Sequence, residues 1–432
     1  MLALLFVVML ILMVLGMDLG IAMGMAALAY VLVQAFSGSL LTLTILPQKM
    51  VNGVDSFPLL AVPLFMLAGE LMNRGGITQR LVRFATAVVG HVTGGLANVV
   101  IVTNMIMAGM SGSAIADAAA TGAVLVPAMR TAGYPRQFAA AVVGAASTLG
   151  PIIPPSIPMI LIGSMVEVSV GRMFLGGAVP GILIGLALMA TVGIIARRRR
   201  FPVEPRASLR TLLLSGRDAL LALAMPVIVI GGILSGATTP TEAAALAVWY
   251  AFLLGALVYR EIRLRDVPEI LVGIAVKSGA VMLTVATASV FGWIATSERM
   301  GPLLTRWIMS LTTSPTLILL LMMLALLVLG CLMEPIPILV LMTPILFPVV
   351  TAIGIDPVHF GVLVTINVTI GMLTPPVGLT LFLMSSISGA SVLGIARACL
   401  PFLTVLIVAL LVLSYLPSLV VWLPNLVMGA AR

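Results

Sequence analysis

Residues 150–158 read GPIIPPSIP, with four prolines in nine positions inside a stretch that otherwise has the composition of a membrane helix. Each proline removes a backbone donor, and its ring crowds the preceding turn, so this density breaks a helix. A break at membrane depth leaves backbone groups unpaired, at several kcal/mol each, unless protein or a water-filled cavity surrounds them. The sequence therefore accepts a cost here, and the rest of the chain shows that it does so twice.

Shifting the chain by 221 places Pro127 on Pro348, Gly133 on Gly354, Thr148 on Thr369, Gly150 on Gly371 and Pro154-Pro155 on Pro375-Pro376. One fixed shift aligns all of these helix-breaking residues, which reads as an internal duplication. The most polar segment, RRRRFPVEPRASLRTLLLSGRD at 197–218, lies between the copies. The expected organisation is a first repeat over 1–196, a basic cytoplasmic linker over 197–218 and a second repeat over 219–432.

Composition sets the class. The 432 residues are 61% hydrophobic and 8% charged, with mean hydropathy +1.26, outside the range of soluble domains. Apolar runs approach 20 residues without period-two alternation, so the spans are helices and not barrel strands. Such runs fall near 2–16, 19–37, 57–73, 174–196, 219–236, 242–259, 268–297 and 400–424, and the interrupted regions 94–165 and 316–387 lie among them. The first run has neither a basic leader nor a cleavage site and reads as a retained span. Cys331 and Cys399 lie in apolar segments and read as core or lipid-side residues without a metal or disulfide pattern.

The net charge of +8 is not a nucleic-acid signal, because the basic residues cluster at span ends. They fall at Arg74, Arg80 and Arg83, at Arg130 and Arg136, at Arg197 to Arg200 with Arg206, Arg210 and Arg217, and at Arg260, Arg263 and Arg265. All are cytoplasmic if 94–129 is a hairpin that enters and leaves by that face while 137–165 crosses once with a break. Sixteen of the 22 basic residues then lie inside, counting Arg397; Lys49, Arg172, Arg299, Arg306 and Arg432 lie on the outer side, and Lys277 within a span. That bias is what sets orientation in membrane proteins. Five crossings separate equivalent elements, so the second hairpin, 316–350, enters from the opposite, periplasmic face. The expected fold is an all-α integral membrane protein, with about ten transmembrane helices and two re-entrant hairpins in an inverted-topology repeat, a secondary-transporter architecture.

A broken span offers carbonyl oxygens at one half-helix end and N–H groups at the other; the first suit a hard cation such as Na⁺ and the second a carboxylate. Two hairpin tips facing two breaks predict two pseudo-symmetric sodium sites. The first uses Ser111, Gly112 and Ser113 with carbonyls near Gly150, Ile153 and Pro155. The second uses Glu334 and Pro335 with carbonyls near Gly371, Thr374 and Pro376. Intramembrane acids are costly, which singles out Asp117 and Glu334. Glu70 and Arg74 are spaced to pair on one helix face, and Lys277 reads as a long side chain reaching for the interface.

The segments AGMSGSAIADAAATG (108–122), GPIIPPSIP (150–158), MEPIPILVLMTPILFPVVTAIGIDPVHFGV (333–362) and GMLTPPVGLTLF (371–382) resemble the large membrane subunit of tripartite ATP-independent periplasmic (TRAP) transporters, as does FPLLAVPLFMLAGELMNRGGITQRLV (57–82). The resemblance covers essentially the whole chain. It implies a Na⁺-coupled importer of organic acids, C4-dicarboxylates, sialic acid or similar carboxylates, in a bacterial inner membrane. It further implies an elevator-type cycle, a small four-span membrane subunit and a periplasmic substrate-binding protein as partners, and no cofactor beyond the coupling ion. The family's sodium positions fall on the two tips and on Gly150, Ile153, Pro155, Gly371, Thr374 and Pro376; Asp117, Pro154, Ser156, Pro375 and Thr380 are candidates for substrate or coupling contacts. Two positions depart from the family: it often has Asp at Glu334 and Asn at Thr380.

Other readings explain less. Gly109-Met110-Ser111-Gly112 spells G-x-S-G, which resembles the nucleophile motif of rhomboid intramembrane proteases, but such an enzyme needs a histidine beside the serine and has no use for a mirrored second half. A stand-alone carboxylate or ion transporter of similar fold uses the same residues without the partners, and a channel does not call for paired hairpins. A GxxxxGK[ST] phosphate loop is absent from the sequence, so an ion gradient and not ATP is expected to drive the cycle.

Overall fold

The computed structural model describes residues 2–36, 43–312 and 314–429; Arg432, expected on the outer side, lies outside them. Among the described residues the regular structure is helical. The first half runs α1 (Leu2–Val14), α2 (Leu19–Phe36), α3 (Ile45–Val54), α4 (Ala61–Arg74), α5 (Ile77–Val89), α6 (Gly95–Ser111), α7 (Ala114–Thr131), α8 (Arg136–Ser147), α9 (Ile157–Met165) and α10 (Val170–Arg199). The second runs α11 (Leu209–Leu234), α12 (Pro240–Leu253), α13 (Val267–Ser297), α14 (Met300–Leu311), α15 (Pro315–Gly330), α16 (Pro335–Ala352), α17 (Pro357–Gly371), α18 (Leu379–Ser388), α19 (Val392–Tyr415) and α20 (Ser418–Met428).

The offset of 221 seen in the prolines also governs the helix ends. It carries both ends of α7 onto those of α16, and the starts of α2 and α8 onto those of α12 and α17. Packing follows an exchange between the halves: α7 lies on α8 and α18, and α16 on α17 and α9. Farther out, α2 packs on α13 and α4 on α12. Each half thus completes the other, as elements related by a pseudo-two-fold axis must.

Seven described helices are long and apolar enough to cross a membrane, and nine spans result if two bent helix pairs each count as one. Their outer faces carry large apolar side chains such as Val227 and Val276, 71% and 70% exposed. Water does not tolerate such surfaces at this scale, whereas lipid does. Helices α5 and α14 have no counterpart among the apolar runs. In α5 only one face is apolar and buried, at Ile77, Leu81 and Ala85, a spacing that produces an amphipathic helix and not a span.

Two further differences from the sequence reading have plain causes. The apolar run 400–424 is not one span: α19 ends at Tyr415 and α20 begins at Ser418, with Pro417 between. Hydropathy continues across the bend, but Pro417 has no N–H to carry the helix on. Helix α11 starts inside the basic segment, where the Ser208 hydroxyl accepts the Thr211 N–H at 3.1 Å and caps it.

Charges on the outer helices pair. Arg74 contacts Glu70 at 3.0 Å and Glu269 at 2.9 Å, and Lys277 lies 3.7 Å from Glu70. Lys277 therefore meets a carboxylate on α4 instead of simply extending to the interface. Near the other end of α13 the Tyr30 hydroxyl donates to Glu298 at 2.5 Å, joining α2 to the end of α13.

Candidate functional site

The chain turns at the first hairpin tip because Gly112 adopts the left-handed conformation, φ +61°, which glycine enters without a Cβ penalty. Ser113 follows in extended conformation, and its hydroxyl accepts the Ala116 N–H at 3.4 Å, capping α7. The Ser111 hydroxyl accepts the Ser113 N–H at 3.3 Å. Both tip hydroxyls thus shape the turn and keep a free lone pair.

The first break starts where α8 ends at Ser147 and closes at α9, whose N-cap is Ser156. The Ser156 hydroxyl accepts the Met159 N–H at 3.3 Å and donates to the Pro151 carbonyl. Pro154-Pro155 is a cis bond, and so is Pro375-Pro376 in the second break.

Tip and break meet closely. A Cβ placed on Gly112 would stand 2.9 Å from the Pro155 carbonyl oxygen; one placed on Gly150 would stand 2.5 Å from Asp117 Oδ2 and 3.2 Å from the Ser113 carbonyl oxygen. Glycine at both positions lets backbone approach three oxygens: the carbonyls of Ser113 and Pro155 and the Asp117 carboxylate. Ile153 directs its side chain to Gly181 of α10. Pro154 presents its carbonyl toward Gly109, 3.8 Å from a Cβ built there. Among the described residues no group of three or more His, Cys, Asp or Glu side chains comes together, so the donors here are carbonyls, hydroxyls and one carboxylate, the set that suits a hard cation.

Asp117 is fully buried, and neither carboxylate oxygen has a hydrogen-bond partner of ordinary geometry among the described residues, although Ser111 lies beside it. Its backbone carbonyl accepts the Thr121 hydroxyl at 2.6 Å, and Thr121 in turn accepts from Asn104 at 3.3 Å. An ionised group held this way is strongly unfavourable without a counter-charge.

The second tip and break meet through different atoms. Gly371 packs on Gly330, whose carbonyl oxygen would lie 2.7 Å from a Cβ built on Gly371. The Val377 N–H donates to the Cys331 carbonyl at 3.2 Å. The Thr374 hydroxyl is turned back to the Ile370 carbonyl at 2.9 Å, and the Thr380 N–H reaches the Met372 carbonyl at 3.2 Å. The Thr380 hydroxyl is buried without a hydrogen-bond partner among the described residues, and its methyl faces Gly144 of α8. Gly330 is not among the site residues expected from the sequence, and Cys331 reads there only as a core or lipid-side residue; the signal for Gly330 is present, since the shift of 221 places Gly109 on Gly330. Pro375 and Pro376 are exposed, whereas Pro154 and Pro155 are buried.

One cavity lies between the two tips. Its volume is about 110 Å³, and it is lined by Gly112 and Ser113 of the first tip, Pro151 of the first break, Glu334 and Pro335 of the second tip and Met372 of the second break. Four segments far apart in sequence converge there. His359, one of the two histidines, is buried in α17 with its Nε2 2.9 Å from the Leu413 carbonyl.

Comparison with known proteins gives the family. Residues 6–419 match the family described as Tripartite ATP-independent periplasmic transporter, DctM component. The chain is 42% identical over 377 residues to the C4-dicarboxylate TRAP transporter large permease protein DctM of Pseudomonas aeruginosa, covering 87% of this chain and 88% of that one. It is 42% identical over 382 residues to the sialic acid TRAP transporter large permease protein SiaM of Vibrio cholerae, covering 88% and 90%. The fold is similar to that of the YdaH transporter of Alcanivorax borkumensis, with a TM-score of 0.66 at 14% identity over 88% of this chain and 90% of that one. The chain belongs to the DctM family of TRAP transporter large permeases and is a multi-pass protein of the bacterial inner membrane.

Proposed function

We propose that this chain carries out Na⁺-coupled uptake of an organic acid across the inner membrane, a C4-dicarboxylate, sialic acid or a similar carboxylate. One observation carries this reading: two hairpin tips and two helix breaks face a single cavity, and the buried Asp117 carboxylate lies against Gly150 of the first break. Sodium at the Ser113, Gly150 and Pro155 cluster would neutralise Asp117. Its positive charge, with the N-terminal ends of α7 and α16, would then favour a substrate carboxylate in the cavity.

Coupling follows from electrostatics. With sodium absent, the Glu334 side chain lining the cavity gives an anionic substrate no attraction; with sodium bound beside Asp117, the same space attracts it. The names of the relatives, C4-dicarboxylate and sialic acid large permeases, support carboxylate cargo and a smaller membrane partner. A periplasmic binding protein would deliver that cargo. In this reading α6 to α9 and α15 to α18 move together against α2, α4, α12 and α13 as an elevator, and no cofactor takes part.

The test is uptake into proteoliposomes that hold this chain with its small permease and binding protein, driven by a sodium gradient alone. Accumulation that collapses when sodium is equalised supports the proposal. Accumulation indifferent to sodium, or full uptake by this chain by itself, overturns it.

A further inference from the structure

A second built cavity lies at the basic rim. About 240 Å³ opens between α8, α10 and α19, with Phe138, Ile195 and Pro401 as apolar lining and Arg198, Arg199 and Arg397 around it. Its base is held by aromatic packing: Phe138 is buried, and its ring lies 4.8 Å from Phe201 and 6.1 Å from Phe402. No carboxylate lines the cavity, and among the described residues none of the three guanidiniums forms an ion pair. Three uncompensated cations have been gathered at one apolar hollow from two helices far apart in sequence.

We propose that this cavity binds the phosphodiester headgroup of an anionic phospholipid of the cytoplasmic leaflet. Guanidinium forks match phosphate oxygens in pairs, and basic pockets between transmembrane helices on the cytoplasmic side are suited to such headgroups. The apolar lining gives a free, fully hydrated phosphate nothing to bond, whereas it fits the glycerol and first methylenes of a lipid. The adjoining helix faces are lipid-compatible, with Ile194, Leu393 and Leu400 each more than half exposed. A lipid seated here would clasp α8, which leads into the first break, to α10 and α19.

The test titrates delipidated full-length protein with dioleoylphosphatidylglycerol or dioleoylphosphatidylcholine and counts bound lipid by native mass spectrometry. Phosphatidylglycerol is expected to bind at least about tenfold more tightly than phosphatidylcholine, and the triple variant Arg198→Gln/Arg199→Gln/Arg397→Gln to lose that preference. Arg397→Gln alone, which leaves the arginine run at the end of α10 intact, is expected to weaken phosphatidylglycerol about fivefold. The control Arg197→Gln/Arg200→Gln removes charge outside the cavity and is expected to keep the preference. Equal binding of the two lipids, or pocket variants no weaker than the control, overturns the proposal. So does thermal stabilisation by millimolar inorganic phosphate that equals stabilisation by dihexanoylphosphatidylglycerol, since the site would then belong to a free anion.

Discussion

The carboxylate of Asp117 lies against the backbone of Gly150, so close that a methyl group at residue 150 would come within 2.5 Å of Oδ2. Asp117 opens α7 just behind the first hairpin tip, and Gly150 lies in the first helix break. Their contact joins tip to break.

Gly150→Ala is expected to abolish uptake while leaving the protein in the membrane. The methyl would meet Asp117 Oδ2 and the Ser113 carbonyl at 3.2 Å, and a backbone carbonyl cannot swing aside as a flexible side chain can. Gly193→Ala in α10, where nothing lies within 4 Å, is expected to stabilise by about 0.5–1 kcal/mol through helix propensity and to transport normally. Uptake by both variants, compared with thermal unfolding, checks this.

Asp117→Asn alters a buried carboxyl group that has no hydrogen-bond partner of ordinary geometry among the described residues. Stability without sodium is expected to rise or hold, because the neutral amide avoids the cost of an unpaired carboxylate. Stabilisation by added sodium is expected to fall at least about tenfold in apparent affinity, since opposite charge at contact distance is worth more than 1.4 kcal/mol at this depth. Melting curves with sodium or with potassium decide it; an unchanged sodium response removes Asp117 from the site.

Ser113→Ala is expected to weaken the sodium dependence of uptake more than it lowers expression. The hydroxyl caps α7 through Ala116, which is worth about 1 kcal/mol of stability, and Ser113 itself lines the cavity between the tips. A sodium titration of uptake in proteoliposomes would sink the assignment if its midpoint were the same as in the parent protein.

Gly371→Ala is expected to prise the second hairpin from its break. The new methyl would stand 2.7 Å from the Gly330 carbonyl oxygen, and two helices packed through glycine cannot admit it without separating. Cys331 is partly exposed while Cys399 is buried, so the labelling rate of Cys331 by a permeant maleimide reports the separation. The rate is expected to rise several-fold as uptake falls.

A disulfide test addresses the elevator. The hydroxyls of Ser56, ahead of α4, and Ser164, at the end of α9, lie 2.8 Å apart, across the boundary between the parts proposed to move. Ser56→Cys/Ser164→Cys is expected to cross-link on oxidation, arrest uptake and recover with reductant. Full uptake by the cross-linked protein rules out sliding at this boundary.

Much of the architecture was written in local chemistry. The prolines of 150–158 and 371–382 fix where helices cannot continue, and proline acts through its own ring and missing N–H whatever surrounds it. The same is true of Gly112, whose positive φ makes the tip turn. Amphipathic α5 was less visible because apolar-run length, the signal used for spans, is blind to a helix with one polar face. The bend at Pro417 was hidden because hydropathy carries no backbone direction. The ion pair of Lys277 was not legible, because its partner, Glu70, lies on a helix some two hundred residues away in the chain.

The sequence by itself determined that this chain is a duplicated, helical membrane protein with one proline break in each copy, since composition and proline chemistry act locally. Only the tertiary structure decided which oxygens meet. Gly150 faces Asp117, Gly371 faces Gly330, and both tips open on one cavity. The first two pairings lie within one half each and the cavity joins both halves; all three depend on how helices pack in space, which the spacing of residues along the chain does not encode.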